Sequence, residues 1–455
     1  MKKYSWVLLG FIVFLSSCKK YVEVDLGGGK LGVAQEYSSD ASATAAVLEL
    51  YSYTYTTGFI TYVTYVGGML ADELQSTTNT PTFNEIMADV VTTTNSAVEG
   101  NLWTDPYYMI GEANLALDGL AKSTQVTPAT KKQLTGEALF FRAFAFFHMV
   151  NDFGGVPLSL DPVQVNNALI PRAPADTIWA QIKRDLIAAD TLLPATYVGA
   201  AGTRGRVNKY TVDALLARVY LYLKDYPNAE AMATSVIGSG VYKLAPLSAT
   251  FINTSPETIF QLANTYGYTQ FGVDYRASST ATTTSVPPGF VLYTGFTNSF
   301  EANDQRYTAW VDTTNYLGTR YYRINKYKLA TQTTGNESSV ILRLAEQFLI
   351  RAEARAEQNE ISGAQSDLDS VRLRAGLPVT TASNTTDLVT AILKERKVEL
   401  FGEFSHRWFD LKRLGQASAV LAPLKAGWTS TAVLLPIPYN QIMLNVNLTQ
   451  NPGYN

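Results

Sequence analysis

Cysteine and histidine are almost absent from this sequence. Its 455 residues include one Cys and two His. This scarcity removes most routes to disulfide formation and metal ligation, and it disfavours a catalytic Cys/His pair. Because His148 and His406 belong to no metal-spaced cluster, we expect both to be packed and hydrogen-bonded rather than catalytic. The sequence therefore predicts neither a metal site nor a cofactor.

The chain also lacks a membrane-spanning run and a basic cluster. It is 46% hydrophobic and 16% charged, with a net charge of −3. This composition fits neither a disordered chain nor a multi-span membrane protein. Without a basic run, the sequence offers no surface for nucleic acid. Gly27 to Gly29 lack the following Lys-Ser/Thr of a phosphate-binding loop, so they are interpreted as a flexible spacer.

The first residues have the layout of a lipoprotein signal. Two lysines precede an apolar run that is too short to span a bilayer, and small residues lead to Leu15-Ser16-Ser17-Cys18, which looks like a bacterial lipobox. We therefore expect residues 1–17 to be removed and Cys18 to carry lipid. Residues 18–38 are predicted to be a tether and residues 39–455 a single domain. The alternative is an ordinary signal peptide with an incidental Cys.

One stretch, 127–160, is interpreted as a single buried helix with both ends marked. Thr127 offers an N-cap hydroxyl before Pro128, and Gly154 and Gly155 are free to take the positive φ that ends a helix. The apolar positions fall on two opposite faces: Leu134, Ala138, Phe141, Ala145 and His148 on one, and Phe140, Phe144 and Phe147 on the other. Such a helix is expected inside a larger helical body.

Helical periodicity recurs along most of the chain. Helices are predicted over 41–55, 102–120 and 177–192, with a further apolar segment at 60–70. Trp103, on the second of these, is more typical of core than of a ligand platform. Two later pairs, which resemble tetratricopeptide (TPR) hairpins, begin near residues 214 and 345, and each second helix carries a small residue at the close approach.

Two regions interrupt the helical pattern. Residues 72–94 are predicted to be a loop. Residues from about 241 to 340 form a loop-rich insert, for which only two short strands are predicted, at Thr258–Leu262 and Tyr321–Tyr327. Long irregular segments on a regular scaffold commonly carry function, so we expect the binding site there.

Three motifs resemble the signatures of the SusD/RagB family of outer-membrane lipoproteins. They occupy residues 141–158 (FRAFAFFHMVNDFGGVPL), 393–413 (LKERKVELFGEFSHRWFDLKR) and 435–454 (LPIPYNQIMLNVNLTQNPGY). The second has Gly402-Glu403 where family members more often have Glu-Gly. The resemblance implies a mainly α fold, a TPR-like helical scaffold of SusD-like type with long loops and a few short β-strands.

The same resemblance implies a function. It predicts a surface-anchored, non-enzymatic protein of the outer membrane that captures an oligosaccharide and delivers it to a SusC-like TonB-dependent transporter. Lipid on Cys18 would hold it at the outer membrane, facing the cell surface. Capture of a peptide instead of a glycan is the alternative within this class.

Tyrosine is abundant, with 27 residues, and many of these rings fall in polar loops. Sugar rings have apolar C–H faces and hydroxyls at the rim, so proteins bind them by stacking aromatic rings and by hydrogen bonds from polar side chains. The resemblance places the glycan site in the 72–94 loop and the insert. The candidate ligand-binding residues are Asn79, Phe83, Asn84, Tyr266, Tyr268, Phe271, Asp274, Tyr275, Arg276, Tyr293 and Phe296. Asn264, Gln270 and Phe290 accompany them in the insert. The alternative is that each ring packs its own loop.

Two other classes of protein remain open. A lipid-anchored glycan hydrolase would need two carboxylates across a cleft, and no motif supplies such a pair. The charged residues Glu395, Arg396, Glu399, Arg407, Asp410 and Arg413 alternate in sign, which is typical of an ion-paired scaffold. A pure protein scaffold would bind the transporter and no glycan.

Overall fold

The computed structural model describes residues 33–199, 203–264, 266–276, 287–331 and 335–454. Within them, helices α1 to α18 span, in order, Val33–Glu36, Asp40–Thr56, Phe59–Leu70, Pro81–Met87, Asp105–Lys122, Pro128–Phe153, Gln164–Asn167, Ala175–Leu192, Lys209–Tyr222, Tyr226–Gly238, Gln270–Asp274, Gln305–Trp310, Leu344–Glu357, Ile361–Arg374, Thr385–Glu399, His406–Arg413, Ala417–Leu421 and Tyr439–Leu444. A π-helix at Val98–Thr104 leads into α5. The predicted signal sequence and Cys18, the predicted site of lipidation, lie outside the described residues.

The strands of the described residues are short and form four antiparallel pairs. Strands β1 to β8 span Leu74–Ser76, Val156–Pro157, Arg172–Ala173, Thr258–Leu262, Phe290–Leu292, Val311–Tyr316, Thr319–Ile324 and Ser339–Arg343. The pairs are β1 with β5, β2 with β3, β4 with β8 and β6 with β7. In the first pair Leu74 lies opposite Leu292 and Ser76 opposite Phe290, so this pair joins the 72–94 region to the insert.

From Leu134 onward helix α6 is buried, because apolar side chains cover most of its circumference. Its fully enclosed rings include Phe140, Phe141, Phe144, Phe146 and Phe147, each at most 1% exposed. The helix ends at Gly154, which has a φ of 72°. The predicted N-cap bond is wrong: the Thr127 hydroxyl donates instead to the Asp40 carboxylate at 2.7 Å, and the same carboxylate accepts the Thr127 N–H. Gly155 does not take a positive φ.

Two helical hairpins pack side by side, as the repeated pattern predicted. Helices α9 and α10 form one hairpin, α13 and α14 form the other, and α10 packs on α13. Ala229 and Ala364, the small residues at the predicted close approaches, are fully buried. The main core extends from Tyr37 to Leu448 and includes Trp103, whose predicted core position is confirmed.

The 72–94 region and the tether are more ordered than predicted. Residues 72–94 are not a simple loop, since they contain β1 and α4. Thr80 caps α4 by accepting the N–H of Phe83, and Pro81 occupies its first turn. The predicted tether ends before residue 38, because α1 is helical and Tyr37 is 6% exposed.

The insert also contains more regular structure than predicted. Its strand Thr258–Leu262 is confirmed, whereas the second predicted strand lies at Thr319–Ile324. Helices α11 and α12 and strands β5 and β6 were not predicted. Strand β6, with the sequence VDTTNY, has a polar and partly exposed pattern, so it carries no apolar alternation from which to recognise it.

The charged residues of α15 and α16 form a buried ion-pair network, as predicted for a scaffold. Arg396 donates to Asp410 at 2.7 Å, and Glu399 accepts from both Arg343 and Arg306, at 2.5 and 3.0 Å. Other pairs join Arg306 to Glu395, Arg407 to Asp72 and Arg413 to Glu353. Apart from the partly exposed Arg407, these groups lie in the protein interior, where unpaired charges would be costly.

The two histidines are buried, but the predicted hydrogen bonding of His148 is wrong. Neither ring nitrogen of His148, nor Nδ1 of His406, has a hydrogen-bond partner among the described residues. Burial lowers the pKa of His148 to about 3, so its imidazole is neutral. The ring of His148 instead packs edge-on against Phe59 and Phe144.

No helix within the described ranges has the length and apolarity needed to cross a bilayer.

Candidate functional site

An open cleft lies where the ends of α2 and α3 meet the insert. Its volume is about 640 Å³. The side chains around it are aromatic or carry hydroxyl, amide or carboxylate groups. The lining residues are Tyr55, Thr56, Thr57, Gly58, Thr61, Tyr62, Tyr65, Thr78, Phe83, Tyr266, Tyr268, Gln270, Asp274, Gly289 and Phe290. We call this feature the aromatic cleft.

A tight connection between α2 and α3 brings their tyrosines to the aromatic cleft. Helix α2 ends at Thr56, and Gly58 is the N-cap of α3, which begins at Phe59. A Cβ atom at Gly58 would lie 2.4 Å from Nδ2 of the Asn101 side chain and 2.9 Å from the Tyr62 ring, so a larger residue would force these side chains to shift. The close turn therefore holds Tyr55 and Tyr62 at the same side of the molecule.

The floor of the aromatic cleft is a stack of buried rings. Tyr65 stacks on Phe290 with ring centroids 4.0 Å apart and an interplanar angle of 23°. Phe271 and Tyr275 meet Tyr65 edge-on at 5.9 and 5.7 Å. Because these rings support one another, the floor is a rigid apolar base rather than a mobile loop.

Asp274 is the carboxylate of the aromatic cleft. One of its oxygens accepts the Tyr65 hydroxyl at 2.8 Å, and the other accepts the Gln270 amide at 2.9 Å. Burial raises the pKa of Asp274 above its ordinary value, while these two hydrogen bonds oppose the change. Burial, and then the charge of Asp274, raise the pKa of Tyr62. The carboxylate is thus fixed in place with lone pairs directed to further donors.

Two tyrosines of the insert form the rim. Tyr266 is 53% exposed, and its ring centroid lies 5.8 Å from that of Tyr268. Asn264 holds their loop by accepting the N–H groups of Tyr266 and Gly267 at 3.0 and 2.7 Å. Burial raises the pKa of Tyr55, and the phenols of Tyr266 and Tyr268 raise it further.

The structure brings four of the candidate residues together in the aromatic cleft: Phe83, Tyr266, Tyr268 and Asp274. Asn79 and Asn84 do not line it. They are exposed on and beside α4, where the amide of Asn84 donates to Asn79 at 2.7 Å. The two asparagines therefore stabilise each other rather than face the cleft.

Three candidate rings are closed off from solvent by the protein itself. Phe271, Tyr275 and Phe296 are each at most 2% exposed. The first two form the floor described above, and Phe296 packs on Phe401 with centroids 5.4 Å apart. For these rings the alternative, that they pack within the protein, is the one the structure supports. Their burial prevents direct stacking on a ligand.

The last two candidates are directed elsewhere. The guanidinium of Arg276 donates to the Lys328 carbonyl, and the Tyr293 hydroxyl donates to the Leu424 carbonyl at 3.4 Å. Neither residue lines the aromatic cleft. Although Arg276 follows Asp274 by two positions, the turn that ends α11 points it away.

Sequence reasoning missed the helical side of the aromatic cleft. Tyr55, Tyr62 and Tyr65 belong to α2 and α3, which were assigned to the scaffold because of their apolar pattern. A signal was present, since the aromatic residues concentrate where the first helix ends and the second begins. Gln270 was noted among the polar residues of the insert but was not selected.

The aromatic cleft has the chemistry of a binding site for a molecule with apolar faces and hydroxyl groups. Its rings offer stacking surfaces, and Asp274, Gln270 and the tyrosine hydroxyls offer donors and acceptors. Among its described lining residues Asp274 is the only carboxylate. No group of three or more His, Cys, Asp or Glu side chains in the described residues could hold a metal ion.

Comparison with known proteins agrees with this architecture. A SusD-like family model described as "Starch-binding associating with outer membrane" matches residues 44–221, and a model of the SusD family matches residues 293–454. SusD-like protein P38 of Formosa agariphila is 25% identical to this chain, with 100% of both chains covered.

Solved structures show the same fold. A SusD superfamily protein of Bacteroides vulgatus has a TM-score of 0.80 at 20% identity, covering 92% of this chain and 100% of that one. A laminarin-binding SusD-like protein has a TM-score of 0.76 at 24% identity, again covering 92% and 100%. The fold predicted from the three motifs is confirmed. The chain therefore belongs to the SusD/RagB family, whose members are glycan-binding proteins associated with the outer membrane.

Proposed function

We propose that this protein captures an oligosaccharide in the aromatic cleft and delivers it, without chemical change, to a SusC-like TonB-dependent transporter. The observation that carries the proposal is the arrangement of accessible tyrosines around one fixed carboxylate. Stacking rings give affinity for the faces of sugar residues, while Asp274 and Gln270 select the positions of their hydroxyls.

The chemistry of the aromatic cleft supports binding rather than hydrolysis. Glycosidases use two carboxyl groups that flank the scissile bond at a separation of roughly 5–10 Å. The described lining offers one carboxylate, Asp274. A second carboxylate in the right position is what a hydrolase would require.

Related proteins give independent support for a glycan ligand. A laminarin-binding protein shares the fold, and one of the matching family models is described as starch-binding. Peptide capture remains the alternative ligand class for the same cleft. A scaffold that binds only the transporter is the alternative function.

A glycan array followed by calorimetry separates these functions. We expect the purified protein to bind a glycan with a stoichiometry of one and to leave it uncleaved on prolonged incubation. Release of shorter products would contradict the non-enzymatic proposal. Binding of peptides alone, or of the transporter alone, would favour the corresponding alternative.

Tyr268→Ala is expected to lower glycan affinity by about 1–3 kcal/mol, because it removes a stacking surface. The melting temperature should hardly change, since the ring lies on the rim. Tyr268→Phe keeps the ring and should retain most of the affinity. Calorimetric titration beside a thermal melt measures both quantities.

Tyr293→Ala is the matched control for that experiment. It also deletes a partly buried tyrosine of the insert, but this one lies outside the aromatic cleft. Its affinity for the glycan should equal that of the unmodified protein. Equal losses for Tyr268→Ala and Tyr293→Ala would show that the insert responds as a whole and that Tyr268 is no specific platform.

We further propose that lipid on Cys18 anchors the protein to the outer membrane, at the cell surface. Cys18→Ala should yield a folded protein that leaves the membrane fraction, because the described fold begins at residue 33. Cell fractionation and immunoblotting measure this. Retention of the variant in the membrane fraction would show that lipid at Cys18 is not the anchor.

Residues 39–455 are proposed to form one domain. The main hydrophobic core contains residues from α2 and from the C-terminal segment, which supports a single unit. Cooperative unfolding in one transition is the expected result.

A further inference from the structure

The charge of the aromatic cleft is as distinctive as its rings. Its described lining includes one carboxylate, Asp274, and neither Lys nor Arg. The chain segments not described nearest to it in sequence, Thr265 and residues 277–286, contain no Lys or Arg either. Arg276, the nearest cation along the chain, bonds the Lys328 carbonyl instead of facing the cleft.

We propose that the aromatic cleft selects uncharged glycans and rejects glycans rich in carboxylate or sulfate groups. This inference rests on the proposed glycan capture and adds the class of sugar that is taken. Proteins recognise carboxylate, sulfate and phosphate groups chiefly through the paired donors of Arg and through Lys. The described lining of the aromatic cleft provides neither for a bound anion.

Asp274 also disfavours anionic glycans directly, by repulsion. Its two oxygens accept hydrogen bonds and cannot donate any while ionised. A sugar hydroxyl can donate to them, whereas a uronate or sulfate would place acceptor against acceptor and negative charge against negative charge. In a partly buried cleft this repulsion is much less screened than in water.

The partners of Asp274 keep it in this role. Tyr65 and Gln270 hold the carboxylate at the base of the open space, and Tyr62 lies near enough for its pKa to be raised by the carboxylate charge. None of these neighbours is cationic. The negative charge therefore remains directed to the ligand instead of being neutralised by an ion pair, in contrast to the buried carboxylates of the α15–α16 network.

The inference is tested on an array that contains uncharged and uronate-rich glycans of matched length. Calorimetry then measures the affinity of the best hit of each class. We expect the uncharged glycan to bind and the uronate glycan to bind at least about tenfold more weakly. Asp274→Asn should lower the ratio of the two affinities, because it should strengthen binding of the uronate glycan. Asn can still accept from Tyr65, and Gln270 can turn its amide to match.

Asp176→Asn is the control variant. Asp176 is an exposed carboxylate at the start of α8 that does not line the aromatic cleft, so its loss changes net charge equally and should leave the ratio unchanged. An unchanged ratio in Asp274→Asn, or equal narrowing in both variants, would contradict the role of Asp274.

The two proposals fail in different ways. Hits confined to uronate or sulfated glycans would overturn the selection of uncharged glycans and leave glycan capture standing. Binding to no glycan of either class would contradict glycan capture itself. If the protein bound no glycan but bound a lysine-rich peptide, Asp274 would instead be assigned as the partner of a cationic side chain of the peptide.

Discussion

Replacing Phe144 by alanine is expected to lower the free energy of unfolding by about 3–5 kcal/mol. Phe144 is 1% exposed, and its ring lies parallel to that of Phe140 and edge-on to Phe59 and His148. Removal of the ring leaves a cavity beside α6, the helix around which the other helices pack. Because the neighbouring side chains are tightly packed, they fill this cavity only in part. Denaturant unfolding followed by circular dichroism measures the change.

Lys132→Ala, on the exposed first part of the same helix, is the control. It should change the free energy of unfolding by less than about 0.5 kcal/mol. If Phe144→Ala lowered the free energy of unfolding by less than about 1 kcal/mol, the central position of α6 would be contradicted, because removal of a fully enclosed ring destabilises a protein by more than this.

Arg343→Ala is expected to have an effect of similar size, about 3–5 kcal/mol, by a different mechanism. The Arg343 guanidinium donates to Glu403 at 2.8 Å, to Glu257 at 3.0 Å and to Glu399 at 2.5 Å. All of these groups are buried. Without the guanidinium, three carboxylates lose a shared cation inside the protein.

Two observations distinguish this mechanism from loss of packing. Lys122→Ala breaks an exposed pair with Asp118 and should cost no more than about 0.5 kcal/mol. The ion pairs hold the pKa of Glu399 and of Glu403 below the ordinary value, so their stabilising contribution is present at neutral pH and is lost as pH falls. In Arg343→Ala, Glu257, Glu399 and Glu403 can take up protons as the pH falls, which relieves their unpaired charge. The difference in free energy of unfolding between the variant and the unmodified protein should therefore become smaller from pH 8 to pH 5. A difference that stays constant with pH would contradict the charge mechanism.

The helical scaffold could be predicted from sequence because its information is local. Helix α6 carries apolar residues at helical spacing and a Gly at its end, and both helical hairpins show their small residues at the close approaches. Strand β6 was missed because its polar sequence lacks apolar alternation, although it pairs with the next strand along the chain. Helix α11 was missed because it has only five residues and is held by a contact with the distant Tyr65.

The aromatic cleft could be predicted only in part, since its formation is not local. Tyr65 and Asp274 are hydrogen-bonded across 209 positions. In an irregular insert no periodicity distinguishes a ring on the rim, such as Tyr268, from a ring in the floor, such as Phe271. The β1–β5 pairing and the α2–α3 turn decide which rings face the open space. Neither feature is apparent from the sequence.

A crystal structure of the protein with an uncharged oligosaccharide, chosen as the best array hit, tests the central claim most directly. We expect a sugar ring to lie on Tyr266 or Tyr268 and a sugar hydroxyl to lie within hydrogen-bond distance of Asp274. A well-defined ligand bound elsewhere, with the aromatic cleft empty, would contradict the assignment of the aromatic cleft as the capture site.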